Sequence, residues 1–193
     1  VNALLDEFPT EYDGYLIRTD YRIGVQMRLA AEDTELSDSE KVSVLISLLY
    51  GNGAPPIEKA LNGVVWFLKC GDEEEPAEDK EEPQDANSEA TGANQSNFSF
   101  EVDSFRLYTA FKKTYGVDLN TARLHWFAFC AMLQDLNECA FTNILEIREK
   151  DLSKVPKQQR GEYARLKERF ALPQKFTPEE QEKINEFFSL LKD

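Results

Sequence analysis

Leu124-His125-Trp126-Phe127-Ala128-Phe129-Cys130-Ala131-Met132-Leu133-Gln134 runs eleven residues without a formal charge, His125 being counted as neutral. At about 100° per residue its apolar side chains spread round a whole helical cylinder, and a helix that is apolar all round is a buried one. It is too short to span a bilayer, which needs about 20 residues. Other helices must therefore wrap it, each with one apolar stripe. The rest of the chain supplies them on either side.

Toward the N-terminus, Tyr12-Asp13-Gly14-Tyr15 predicts a hairpin, because Asp-Gly suits the positive φ values of a type I′ turn. Flanking strands include Tyr15–Thr19. Asp20 caps a helix to about Glu32 with Ile23, Met27 and Ala30 on one stripe. Ser37-Asp38-Ser39-Glu40 is a capping box that opens an apolar helix through Leu45, Ile46, Leu48 and Leu49. Gly51–Pro56 breaks it, and Pro56 suits the first turn of a third helix carrying Leu61, Val64, Val65, Phe67 and Leu68. Gly71 is a good residue to end it.

Toward the C-terminus, Phe98–Val102 reads as a short strand able to join the hairpin. Asp103 caps a helix with Leu107, Tyr108, Phe111 and Tyr115, ended by Gly116. Thr121 is expected to cap the central helix. A helix with Phe141, Ile144, Leu145 and Arg148 follows, then a loop at Asp151-Leu152. Pro156 starts a charged helix with Tyr163, Leu166 and Phe170, stopped by Leu172-Pro173. Thr177-Pro178-Glu179-Glu180 is a further helix start. The last apolar stripe is Ile184, Phe187, Phe188 and Leu191, spaced i, i+3, i+4, i+7.

The expected fold is mainly α: a multi-helix domain around one buried central helix, with a small N-terminal β-hairpin or three-stranded sheet and a long disordered acidic insert. The 193 residues are enough for one domain with a real core. Of the formal net charge of −14, −9 sits in Gly71–Asn97, where ten acids face one lysine, leaving −5 elsewhere. That insert has no aromatic residue and no aliphatic beyond Ala. It cannot bury enough surface to offset its chain entropy. Residues 1–173 are thus read as one helical domain interrupted at 71–97, with 174–193 an appended amphipathic helix.

The charge balance argues against nucleic-acid binding and against an anionic membrane surface. Lys154–Lys175 is locally basic, net +5, which suits either an ordinary solvated helix face or a patch for an acidic partner, including the chain's own insert. Three cysteines, Cys70, Cys130 and Cys139, form no CxxC pair and read as reduced thiols acting as small hydrophobes. No stretch reads as a signal peptide or a membrane span. The single histidine, His125, lies five residues before Cys130, which on one helix puts the two side chains about 140° apart and argues against a nucleophile–base pair. No zinc-ligand pairing, EF-hand loop or phosphate-binding glycine loop is present. The expectation is a protein that is not an enzyme and uses no metal or cofactor.

The second half resembles the bacteriophage gene-product-fifteen family, encoded among tail genes before the tape measure protein. The resemblance lies in Leu124-His125-Trp126 opening an aromatic helix, then Phe141, Ile144, Ile147-Arg148, Asp151-Leu152-Ser153-Lys154 and Leu172-Pro173. In the front half it lies in Thr19-Asp20-Tyr21-Arg22 and in Leu61, Trp66-Phe67 and Cys70-Gly71 before a charged linker. It covers about Asn2–Pro173; the long acidic linker and Phe176–Asp193 depart from it. The resemblance implies a non-enzymatic tail assembly chaperone in the host bacterial cytoplasm, with the tape measure protein as partner. A minor structural component of the virion tail is the rival. An acidic DNA mimic fits less well, because most of the charge lies in the insert rather than on a rigid surface. The stripe Ile184, Phe187, Phe188 and Leu191 either docks on its own domain or serves partner binding or self-association.

Overall fold

The computed structural model describes residues 2–72 and 97–173. The expectations for residues 73–96 and for the stripe Ile184, Phe187, Phe188 and Leu191 therefore lie outside the described residues. Among those described, the chain forms a two-stranded hairpin, seven α-helices and one 3-10 turn.

β1 (Glu11–Tyr12) and β2 (Tyr15–Leu16) pair antiparallel, with Tyr12 opposite Tyr15. Asp13 and Gly14, at φ 49 and 78, make the expected positive-φ turn. The sheet stops at two strands and its second strand ends at Leu16 rather than Thr19. Phe98–Val102 does not join it. Ser99 Oγ accepts from the Glu101 and Val102 N–H groups, and the Asp103 N–H donates to the Ser99 carbonyl. Such local side-chain bonds compete with a sheet ladder and here fold the segment into turns.

α1 (Tyr21–Ala31) is capped by Asp20, whose carboxylate accepts from the Arg22 N–H. α2 (Asp38–Tyr50) opens with the full Ser37–Glu40 capping box. α3 (Ile57–Leu68) has Pro56 at the N-cap, one residue earlier than expected. α4 (Ser104–Tyr115) ends on Gly116 in the left-handed region. α5 (Trp126–Gln134), α6 (Ala140–Glu149), a 3-10 turn at Leu152–Lys154 and α7 (Lys157–Phe170) complete the order. α1 packs on α2 and α5, α2 on α3, α4 on α6, and α6 on α7.

The central helix starts later than expected, and not at Thr121. The Thr121 and Ala122 N–H groups both donate to the Asp118 carbonyl, so this stretch is a turn. The chain then runs beside residues 19–21: Tyr21 N–H donates to the Leu124 carbonyl at 2.9 Å and Trp126 N–H to the Thr19 carbonyl at 2.8 Å. These two bonds form an isolated antiparallel bridge between Asp20 and His125. Asp20 and His125 are the N-caps of α1 and α5, so one bridge starts both helices.

α5 is not buried all round. Trp126, Phe127 and Phe129 are buried, whereas Cys130, Met132 and Leu133 are half-buried and Ala131 is exposed. Phe129 stacks on Tyr21 at 4.7 Å, on Phe111 at 5.0 Å and on Trp126 at 5.7 Å between ring centroids. Stacked pairs of this kind add about 0.5–1.5 kcal/mol each beyond their burial. The same core takes Met27, Leu49 and Phe67 from before residue 73 and Leu107, Phe111 and Phe141 from after residue 96.

Gly24 lets α1 approach this core. A Cβ there would sit well inside contact distance of the Trp126 indole. Gly24→Ala is expected to cost about 1–3 kcal/mol in denaturant unfolding, the usual range for overpacking a tight core. Gly161→Ala on α7, where an added Cβ meets nothing within 4 Å, should instead stabilise by about 0.5–1 kcal/mol.

Candidate functional site

Among the described residues, an open groove of ≈ 940 Å³ lies along α5, past its half-buried Cys130 and Leu133 and its exposed Ala131. α5 contributes Trp126, Phe127, Cys130 and Leu133, and the turn after it Leu136. α6 adds Phe141 and Leu145, and the 98–102 turns add Phe98 and Phe100. Phe98 meets Phe100 and Phe141 edge-on at 5.1 and 5.7 Å. The ends of α1 and α3 bring Arg28, Leu68 and Cys70. Asp72 and Asn97, the described residues on either side of 73–96, also line it. The lining is therefore mostly apolar with a few charged groups, the usual make-up of a binding cleft.

Two thiols meet in this groove. Cys130 and Cys70 are close enough to shift each other's titration. The mutual interaction lowers the Cys70 thiol below its ordinary value, and together with burial it pushes the Cys130 thiol up. All three cysteines are free, and Cys139 is buried under α6 as its N-cap residue.

Beside the groove, and tied to its lining residue Asn97, is a buried ion pair that spacing did not suggest. Asp103 was expected to cap α4, but its carboxylate makes no capping bond to the helix. It is wholly buried and accepts from Arg148 Nη1 at 2.7 Å and Nη2 at 3.0 Å. Arg106 Nη1 donates to it at 2.8 Å and the Ser99 N–H at 3.2 Å. Burial by itself would raise the Asp103 carboxyl; the hydrogen bonds from Arg148, Ser99 and Arg106 and the Arg148 charge outweigh it and hold the group below the usual range. Arg148 also donates to the Asn97 carbonyl at 3.0 Å and, through Nε, to the Phe170 carbonyl at 2.6 Å. One guanidinium thus ties the start of α4, the return of the insert and the end of α7.

His125 has a structural post. Its Nδ1 accepts from the Phe127 N–H at 3.1 Å, and its Nε2 lies 2.9 Å from the Pro9 carbonyl. An amide can only donate and a carbonyl only accept, so the ring is neutral with its proton on Nε2. Burial lowers its pKa, partly offset by the Pro9 hydrogen bond. Both nitrogens are committed to backbone, and Phe8 stacks on the ring at 5.0 Å. The basic α7 region also spends some of its charge on local turns: Arg160 donates to the Val155 and Ser153 carbonyls and Lys167 to the Lys150 carbonyl. Among the described residues, no group of three or more His, Cys, Asp or Glu side chains is placed to hold a metal ion, and no helix is long and apolar enough to cross a membrane.

A mainly helical fold with a hairpin in front and an apolar groove along its central helix defines the class. Residues 4–172 match the family described as Bacteriophage Gp15 protein, and the chain belongs to that family. No curated protein and no solved structure matches it.

Arg148→Met leaves Asp103 buried without its main partner. Breaking a buried pair in this way costs about 3–5 kcal/mol, to be read from urea unfolding at neutral pH. The pH dependence of His125 follows from its lowered pKa: the unfolded state binds the proton more readily, so the neutral cap contributes its full stability above the unfolded value near 6.5. That contribution is lost as pH falls from there through the lower folded value. His125→Asn keeps a good N-cap residue and should flatten the stability–pH slope just below pH 6.5, as measured by thermal unfolding across a pH series.

Proposed function

We propose that this protein is a non-enzymatic tail assembly chaperone that receives an apolar helix of the phage tape measure protein in the groove along α5. The observation that carries the reading is the groove: apolar, open, and large enough for the side chains of two helical turns. Membership of the phage family supports a role in the phage life cycle. The acidic surplus supports solubility while a hydrophobic partner is shielded. Helix-in-groove binding needs no catalytic group, metal or cofactor. The work would be done in the host bacterial cytoplasm, before the tail tube closes around the tape measure protein. The alternative, a minor structural component of the virion tail, differs in where the protein ends up.

Two measurements test the proposal. Co-expression with the tape measure protein should give a complex that co-purifies, and Leu133→Glu in the groove should weaken it at least tenfold without unfolding the chain. Mass spectrometry of purified virions should find the protein absent. A fixed copy number in the particle would favour the structural alternative, and no complex with the tape measure protein would overturn the chaperone reading.

A further inference from the structure

Cys70 and Cys130, far apart in the sequence, both line the groove. Cys70 follows α3 in a Schellman turn: its N–H donates to the Phe67 carbonyl at 3.1 Å and the Gly71 N–H to the Trp66 carbonyl at 2.9 Å. The turn sets Cys70 at φ 58, in the left-handed region where glycine is usual. A side chain is kept there at a cost in backbone strain, and such strain gathers at functional positions. The turn also delivers that side chain to α5. Gly71 is so close to the helix that a Cβ on it would lie 3.2 Å from the Phe127 ring. Phe127 and Cys130 are one turn apart on the same face of α5. Both groove thiols are half-buried and pack against the core, whereas Cys139 is buried.

The two sulfurs are not equivalent. Cys130 and the Arg28 charge favour the Cys70 thiolate against burial and Asp72, while Cys70 and burial hold the proton on Cys130. Arg28 Nη2 donates to the Leu68 carbonyl at 3.5 Å, two residues before Cys70. The thiolate is the nucleophile in disulfide exchange.

We propose that Cys70 and Cys130 are a redox-modification site that takes a low-molecular-weight disulfide, such as oxidised glutathione, and closes to an intramolecular disulfide. The Cys70 thiolate attacks one sulfur of the small disulfide. A mixed disulfide forms on Cys70, the reagent's S–S bond breaks, and the leaving thiolate takes up the proton that Cys70 lost. Cys130 gives up its proton as it attacks Cys70 Sγ; the Sγ–Sγ bond forms and the second glutathione leaves as a thiol. Two protein thiols are oxidised and one small disulfide is reduced to two thiols. The first step prepares the second, because Cys70 in a mixed disulfide no longer holds the proton on Cys130. The new bond ties the end of α3 to the middle of α5 along the groove. The site stands whatever the groove receives.

The test takes the full chain, fully reduced, and exposes it to oxidised glutathione at neutral pH. Thiols left free are alkylated, and non-reducing peptide mapping by mass spectrometry locates the bonds. The wild type should join Cys70 to Cys130, with Cys139, at 4 % exposure, alkylated only after denaturation. Cys130→Ser should stop at the mixed disulfide, with glutathione on Cys70. Cys70→Ser should react at least about tenfold more slowly, since the less acidic Cys130 must then attack first. Should a serine variant expose Cys139 to alkylation without denaturant, alanine replaces the serine, and the wild-type map decides on its own. Cys70 and Cys130 both still reduced after the exposure would overturn the proposal. So would a wild type that stops at the mixed disulfide, or one whose bond runs to Cys139 or to a second chain. Closure only under conditions that also expose Cys139 would overturn it too, because unfolding rather than the fold would then bring the thiols together. Equal reaction rates for Cys70→Ser and Cys130→Ser would do the same.

Discussion

Two backbone hydrogen bonds, Tyr21 N–H to the Leu124 carbonyl and Trp126 N–H to the Thr19 carbonyl, join points more than 100 residues apart in the chain. They do more than pair two short segments. Each lies at the first residue of a helix, so α1 and α5 leave the same bridge. Asp20 and His125 then use their side chains to satisfy free N–H groups of the helices they start. Further bonds reinforce the junction. Arg22 donates to the Leu119, Asn120 and Ala122 carbonyls, and Tyr21 Oη to the Leu119 carbonyl at 2.6 Å. Beyond the bridge the helices are close enough for Trp126 to lie against Gly24. The aromatic stack on Phe129 follows from that placement.

The residues that carry the family resemblance are, in this fold, mostly builders. Thr19-Asp20-Tyr21-Arg22 and Leu124-His125-Trp126 are the bridge and its clamps. Arg148 is the guanidinium that neutralises Asp103 and gathers three segments. Asp151 accepts from the Ser153 N–H at 2.8 Å and caps the 3-10 turn before α7. None of these side chains needs to touch a ligand for its identity to matter. The groove is different in kind: its lining is apolar and shape-dependent, and no single residue in it announces a role.

Much of the fold was legible because its signals are local. Asp13-Gly14 specifies a turn, Ser37 and Glu40 a capping box, and Gly116 a left-handed stop; each works within four residues. What was not legible depends on partners far away in sequence. Asp103 looked like a cap, but Arg148, 45 residues on, takes its carboxylate. Phe98–Val102 looked like a strand, yet Ser99 and Asp103 turn it back on itself. Thr121 looked like a helix start, but pairing with residues 19–21 keeps the chain extended to His125. The uniform apolarity of α5 was read as complete burial, whereas its partly covered face lines the groove. Apolar residues facing a cleft and apolar residues facing a core have the same sequence signature, so the candidate site could be seen only in three dimensions. The stripe that sequence did single out, Ile184 to Leu191, lies outside the described residues.

Native-state hydrogen exchange tests most directly whether the α1–α5 bridge is the keystone. The Tyr21 and Trp126 amides are the donors, and both belong to helix first turns, where amides ordinarily fray and exchange early. If the bridge organises the fold, these two should exchange as slowly as the core amide of Phe111, and only by global unfolding. Exchange of the pair by local opening, while Phe111 stays protected, would show that the helices hold their places without it.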